Sequence, residues 1–525
     1  MSSPAMSARL LLFVLALCCL APARAAVALL STPQGLISGF KRDGVSAWLG
    51  IPYALPPLGA LRWRPPQPHP GWDGVRPAVE YGPLCPQNLV LIEGQIPPVA
   101  ENCLTLNVWS PTPRPDKPLP VIVWLHGGGY FQGGASQTPT DGMRLAKRGV
   151  VFVSVNFRLG ALGFLAHPAL SREAGQSGTA SSGNYGLADQ LAALEWVRTH
   201  IASYGGDPGN VTLMGQSSGA VTATSLATSA RARGLFHKLI LHSGSVAGKL
   251  RRLREPVGDW TSMEALGERF AAALRLGFDA DPLPKMRAAS WQDVDVAWRR
   301  TLAGLRGDGT WHHLGVDGVL LTEAPGAAFA AGRQAPLPVL AGTTADEGSW
   351  FARRARLHGR AQFDAYVAEV YGKNAVKPVR QRYAARAKTR DDWLAAASRM
   401  LRDQFRADLG FTADAMAKLT PQVWLYEFRR EHIPGGRFAR LGDYHSAELP
   451  YVFEGLPPEL AGNAWHTALA EELATRWATF AATGSPNPPG RKPWLAYDSA
   501  TRTVNLAGTP GTTRLSAPPL HPAGP

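Results

Sequence analysis

Residues 211–220 read VTLMGQSSGA, an apolar strand-like run entering Gly215-Gln216-Ser217-Ser218-Gly219. The G-x-S-x-G spacing puts a serine on a sharp turn between a strand and a helix. The flanking glycines are needed because the backbone there is strained and the helix packs close behind it. Such a turn lifts the Ser217 hydroxyl above the sheet. It also aims the next N–H, that of Ser218, into the same space from a helix N-terminus. Five residues of this kind occur often by chance, so their meaning depends on what surrounds them.

Further apolar runs at Val121–Leu125, Val150–Asn156, Leu239–His242, Pro338–Thr343 and Val423–Phe428 are predicted strands. Between the second strand and Val211 lies Leu187–Tyr204, with Leu187, Leu191, Leu194, Val197 and Ile201 at helical spacing. Strands alternating with helices predict an α/β fold: a mostly parallel central sheet flanked by helices. The charged stretches near 250–334 and 361–419 are predicted helical insertions that roof the sheet as a cap. No repeat and no long linker divides the chain, so 26–510 is expected to form a single domain. An edge strand is expected after Arg502, then a disordered tail over 511–525 rich in Pro, Gly and Thr.

The N-terminus carries Arg9, the apolar run Leu10–Leu20 and Ala23-Arg24-Ala25. The run is too short to span a bilayer and reads as a signal peptide over 1–25, which predicts a secreted or periplasmic protein. The abundance of Arg, Ala and Pro points to a GC-rich bacterial genome. No later segment has the apolar length of a membrane helix, so no stable membrane anchor is expected. Export leaves two cysteines, Cys85 and Cys103, which in an oxidising compartment form one disulfide. The residues between them hold no His, which argues against a metal site. The net charge of +14 falls to +12 once Arg9 and Arg24 leave. No basic stripe with interleaved aromatics accompanies it, so nucleic acid is not an expected partner. One local cluster, Lys249, Arg251, Arg252 and Arg254, can be read as a solvated helix end or as a cationic rim that attracts anionic substrates.

Acyl transfer through serine needs a nucleophile, a base, a group that orients the base, and donors for the oxyanion. Val121–Tyr130 reads VIVWLHGGGY, a strand ending in three glycines whose bare backbone can approach a substrate oxygen. The amides of Gly128, Gly129 and Ser218 make a candidate three-donor hole. His126 precedes the serine and reads as a structural strand-end residue. In an order of serine, acid, histidine, Asp346 and Glu347 follow the strand Pro338–Thr343, and His445 lies in a polar loop after Val423–Phe428. The residues alone leave Asp346 and Glu347 both open, and do not separate His445 from His432 or His466.

Resemblance decides between them. GIPYA at Gly50–Ala54, LRW at Leu61–Trp63, ENCLTLN at Glu101–Asn107 and the HGGG segment stand in order. NFRLGALGFL at Asn156–Leu165, NYGLADQ at Asn184–Gln190 and GGDP at Gly205–Pro208 come next. The elbow, SGS at Ser243–Ser245, DEGS at Asp346–Ser349 and HSAELPYVF at His445–Phe453 complete the set. Over nearly all of its length the chain resembles the type-B carboxylesterase/cholinesterase family of α/β-hydrolases. The resemblance implies Ser217 as nucleophile, Glu347 as acid and His445 as base, with Gly128, Gly129 and Ser218 as oxyanion donors. It implies that Glu448 and Ser243 support the histidine from behind, that Cys85 and Cys103 are bridged, and that Arg62–Glu101 and Arg158–Asp189 are structural ion pairs.

The elbow departs from the family, which often has an acid before the nucleophile and an alanine after it; Gln216 and Ser218 stand there instead. The segment between the cysteines lacks the aromatic ring with which cholinesterases hold a quaternary ammonium, which argues against choline esters. The expected activity is therefore hydrolysis of a small-molecule carboxylic ester, anionic or neutral, such as a polycarboxylate or aromatic-acid conjugate, by a monomer without metal or organic cofactor. The other reading is a non-catalytic binding or adhesion protein on the same scaffold. An intact set of serine, acid, histidine and glycines argues against it.

Overall fold

The computed structural model describes residues 26–88, 98–137, 140–178, 180–244, 250–258, 260–275, 281–303, 313–431, 435, 439–509 and 511–515. Its strands in chain order are β1 (Ala26–Thr32), β2 (Gly35–Arg42), β3 (Val45–Pro52), β4 (Val75–Pro77) and β5 (Thr105–Ser110). They continue with β6 (Leu119–Leu125), β7 (Val151–Val155), β8 (Gly206–Gln216), β9 (Lys238–His242), β10 (Arg251–Arg252) and β11 (Gly315–Val316). The last four are β12 (Val339–Thr344), β13 (Val423–Phe428), β14 (Thr503–Ala507) and β15 (Thr512–Arg514). All but β10 and β11 join one sheet in the order β1-β2-β3-β5-β7-β6-β8-β9-β12-β13-β14-β15, with β4 beside β2. From β7 through β14 every pairing is parallel.

Parallel strands covered on both faces must be apolar at consecutive positions. In β6, Val121, Val123 and Leu125 pack into one buried cluster while Ile122 and Trp124 pack into another on the opposite face. The first cluster takes in Leu187, Leu191, Leu194 and Val197 of the helix Tyr185–His200 and Ala220, Ala223 and Leu226 of the helix Ser218–Leu226. The second takes in Leu473, Trp477 and Phe480 of the helix Ala464–Thr483. The strands expected from apolar runs are all present. Strands β1–β5 were not foreseen; they pair antiparallel except for β4, which runs parallel to β2, and β2 alternates between buried and exposed positions and lacks a continuous apolar run.

Both insertions carry cores of their own. Leu266, Phe270, Met286 and Trp298 pack with Leu162 and Leu165, and Phe363, Val367, Trp393 and Ala397 pack with Ala352. The 28-residue helix Arg390–Ala417 spans the second insertion; its buried end residue Met416 lies in the sheet cluster. The first insertion also contains the short β10–β11 pair, which the helical expectation missed. At the C-terminus one expectation is corrected. Residues 511–515 are not a disordered tail, because β15 pairs antiparallel with β14 and Leu515 is buried. Residues 516–525 and the segment read as a signal peptide lie outside the described residues.

Candidate active site

Strand β8 ends at Gln216, and the chain reverses at Ser217 with φ 54° and ψ −123° before the helix Ser218–Leu226 begins. A side chain at positive φ is strained, and here the surroundings hold it there. The Ser217 N–H donates to the His242 carbonyl at 2.8 Å and its carbonyl accepts from Val221 at 2.9 Å. The helix must pack tight behind: a Cβ at Gly219 would lie 2.1 Å from the Leu125 carbonyl oxygen. The small residues of the elbow are thus a steric requirement.

The glycine triple follows β6 directly. Gly128 sits at φ 116°, and a Cβ on it would meet the Gln132 carbonyl at 2.0 Å. Its turn is closed by bonds from Phe131 and Gln132 to the Gly128 carbonyl. Gly129 donates its N–H to the Ser218 hydroxyl at 3.0 Å. The Ser218 N–H belongs to the first turn of its helix, whose amides have no intrahelical acceptor. The Tyr130 hydroxyl donates to the Ser218 carbonyl at 3.0 Å and ties the glycine turn to the elbow. His126 is buried, stacks on Phe157 with ring centroids 4.3 Å apart, and has its pKa pushed down to about 4 by burial. It is structural, as its place before the serine suggested.

The structure separates the two adjacent acids. Glu347 is fully buried, and its Oε2 lies 2.6 Å from His445 Nδ1. Its other oxygen accepts from the Ser243 hydroxyl at 2.5 Å and from the Thr344 N–H at 2.8 Å. Asp346 points elsewhere and accepts the Asp443 N–H at 3.0 Å, tying the acid's loop to the histidine's loop. A carboxylate at Nδ1 fixes the proton there and leaves Nε2 as an acceptor. The side-chain amide of Gln216 fills that position at 3.0 Å, and the Ser217 hydroxyl makes no hydrogen bond to the ring among the described residues. The rings of Phe351 and Phe405 lie 4.9 and 5.2 Å from the imidazole and stack on each other with centroids 6.1 Å apart. Neither aromatic was singled out from the sequence; each sits in a charged helical stretch with nothing local to mark it.

Ser243 therefore reaches His445 through Glu347. Glu448 is placed differently: its Oε1 lies 3.2 Å from His242 Nδ1, not against His445. Trp477 donates to His242 Nε2 at 3.0 Å, which leaves the Nδ1 proton facing Glu448 and the Tyr426 hydroxyl, 2.7 Å away. Burial raises the Tyr426 pKa well above its ordinary range, and the charges of Glu448 and Glu347 add to that. Sequence reading missed His242 and Tyr426, whose partners are distant in the chain. His466 bonds the Tyr451 hydroxyl at 2.9 Å within the helix layer, and His432 lies outside the described residues.

The ion pairs stand where the resemblance put them. Arg62 grips Glu101 at 2.5 and 2.8 Å, and Arg158 grips Asp189 at 2.7 and 2.8 Å. Cys85 and Cys103 are bridged. The cationic rim fares worse. Arg251 is buried, donates to the Thr261 carbonyl at 2.6 Å and lies over Trp260. Arg252 pairs with Glu255, and Arg254 binds the Ala180 carbonyl and sits 3.5 Å from Glu264. Lys249 lies outside the described residues. These three arginines are engaged in local structure. Among the described residues no cluster of three or more His, Cys, Asp or Glu could hold a metal ion, and no helix is long and apolar enough to cross a membrane.

A family model described as the carboxylesterase family matches residues 26–518. The fumonisin B1 esterase of Sphingopyxis macrogoltabida is 37% identical over 482 residues, covering 89% of this chain and 84% of that protein. The para-nitrobenzyl esterase of Bacillus subtilis (strain 168) is 33% identical over 498 residues, covering 90% and 93%. Among solved structures, a PNB esterase superposes with a TM-score of 0.77 at 30% identity, over 92% of this chain and 96% of that one. Serine elbow, glycine turn and acid–histidine pair thus sit on an α/β-hydrolase fold, and the chain belongs to the carboxylesterase family.

Proposed function

We propose that this ester hydrolase works through an acyl-enzyme on Ser217. The observation that carries the reading is the 2.6 Å bond from Glu347 to His445, in loops tied to one another beside a strained serine elbow. His445 takes the Ser217 proton as the oxygen attacks the ester carbonyl. The amides of Gly128, Gly129 and Ser218 receive the oxyanion, and the alcohol leaves with the proton. Water, activated by the same histidine, then releases the acid. Glu347 holds the tautomer and stabilises the imidazolium. A fluorophosphonate is expected to label Ser217, and Ser217→Ala to lose turnover by about 10⁶-fold. Label on Ser218, or full activity in the variant, overturns the assignment.

The proposed substrates are neutral or anionic esters, bound by a monomer. Support comes from the net charge of +12 that remains once Arg9 and Arg24 leave and from the uncharged Gln216 beside the nucleophile, not from the rim arginines. A field of one sign raises the encounter rate of opposite charges, and salt screens it over about 8 to 10 Å. Matched esters bearing a carboxylate, no charge or a trimethylammonium group test this. The carboxylate ester is expected to lead in kcat/KM at low salt and to lose its lead as salt is added. Equal rates for all three, or the cationic ester winning, refutes the preference. Export to the periplasm or medium belongs to the same proposal, supported by the N-terminal sequence and the disulfide. Finding full-length chain in the cytoplasm with residues 1–25 attached counts against it.

A further inference from the structure

We infer that Gln216 is a positioning residue for the base: in the resting enzyme its side-chain amide donates to Nε2 of His445 and keeps that nitrogen as an acceptor until Ser217 takes that place. The inference rests on the reading of Ser217 and His445 just given. Gln216 is buried at the end of β8, with its amide nitrogen 3.0 Å from Nε2. The other end of the amide lies against the glycine turn, where a Cβ on Gly127 would come within 2.2 Å of Gln216 Oε1. The amide is therefore clamped between the oxyanion loop and the base, two parts of the site that must keep register. Only a glycine at 127 leaves room for it.

A donor at Nε2 suits the neutral imidazole and opposes the imidazolium, whose own N–H would meet it head on. A carboxylate at the same place does the reverse. Few other charges bear on the ring. Glu347 from the loop after β12 is its ion-pair partner, and the helices Gly348–Arg354 and Arg390–Ala417 present the uncharged Phe351 and Phe405. Acids on the surrounding elements are engaged: Glu427 of β13 with Arg406 and Arg429, Asp443 with Arg430, Glu448 with His242, Asp346 with the Asp443 N–H, and Asp408 of the helix Arg390–Ala417, whose pKa burial raises to about 7, with the Gln404 amide. The charge state of residue 216 is therefore felt directly.

The test is the pH profile of kcat/KM for the neutral ester para-nitrophenyl acetate in wild type, Gln216→Glu and Gln216→Ala. The fluorophosphonate inactivation rate over the same range reads Ser217 reactivity without turnover. Gln216→Glu is nearly isosteric, and its thermal melt is compared with wild type to confirm folding. The acid limb is expected to move to higher pH by about one unit or more in the Glu variant and by less in the Ala variant, in both assays. Superimposed limbs with only a lowered plateau, or a shift to lower pH in the Glu variant, overturn the inference. Wild type that fails to label at Ser217 removes the underlying assignment instead, and is told apart by that absence.

Discussion

Gly129 gives its amide proton to the hydroxyl of Ser218, 3.0 Å away, so one expected oxyanion donor already has an acceptor in the resting enzyme. A substrate oxygen must share or displace that bond. Alanine at 218 has no acceptor and releases the donor. A neutral hydrogen bond is worth about 0.5–1.5 kcal/mol net, so Ser218→Ala is expected to raise kcat about two- to twelvefold with KM nearly unchanged. Steady-state kinetics on a neutral chromogenic ester checks this; a fall in kcat would mean the hydroxyl itself serves the oxyanion.

The adjacent acids are expected to respond differently. Glu347→Gln removes the charge that fixes the His445 tautomer, and kcat is expected to fall about 10⁴-fold, as in serine triads deprived of their carboxylate. Asp346→Asn weakens a carboxylate-to-backbone tie and is expected to cost about 1–2 kcal/mol of stability while kcat falls less than tenfold. Kinetics and thermal melts on both variants decide. Equal losses of activity would return Asp346 to the chemistry.

Acid sensitivity has a named contributor. Glu173 accepts two bonds from Arg287 at 2.6 and 2.8 Å and two from Arg64 at 3.0 and 3.3 Å. Its carboxyl is held down at about 2, first by the Arg287 hydrogen bonds, well below the ordinary carboxylate value of 4.5. A depressed folded-state pKa stabilises above the unfolded value and is lost as pH falls toward the folded one. Glu173→Gln is therefore expected to lower Tm by about 1 °C at neutral pH, the pair being partly exposed. That deficit should shrink between pH 4.5 and 2. A deficit that stays constant down to pH 2 refutes the linkage.

Replacing Cys85 and Cys103 together by serine is expected to cost about 3 kcal/mol, the effect of opening a short loop. Denaturant titration measures it. Non-reducing peptide maps of exported protein should recover the two segments linked, and free thiols on both would contradict the bridge.

How far each feature could be read from the chain follows from its range in sequence. Continuous apolar runs such as Val121–Leu125 announce buried parallel strands, and the elbow and glycine turn are local patterns with steric causes. Asp346 and Glu347 are neighbours of one type, so only the fold shows which reaches His445. Arginine counts show charge but not partners, which is why Arg251, buried and lying over Trp260, could be read from the sequence as a solvated helix end or as part of a rim. The Gln216–His445 contact joins residues 229 apart, and no local signal marks it.

That separation bears on synthesis. Base and acid meet across 98 residues, and the base meets the elbow across 229, through strands that join the sheet one after another along the chain. A growing polypeptide that has folded through the serine elbow still lacks His445, the base of the proposed mechanism. Domains form as the chain emerges, N-terminal parts first. On the proposed mechanism the nascent protein is therefore expected to be inert toward esters until more than four-fifths of it has been made. Any fragment cut before His445 is equally inert, however well its first strands hold together.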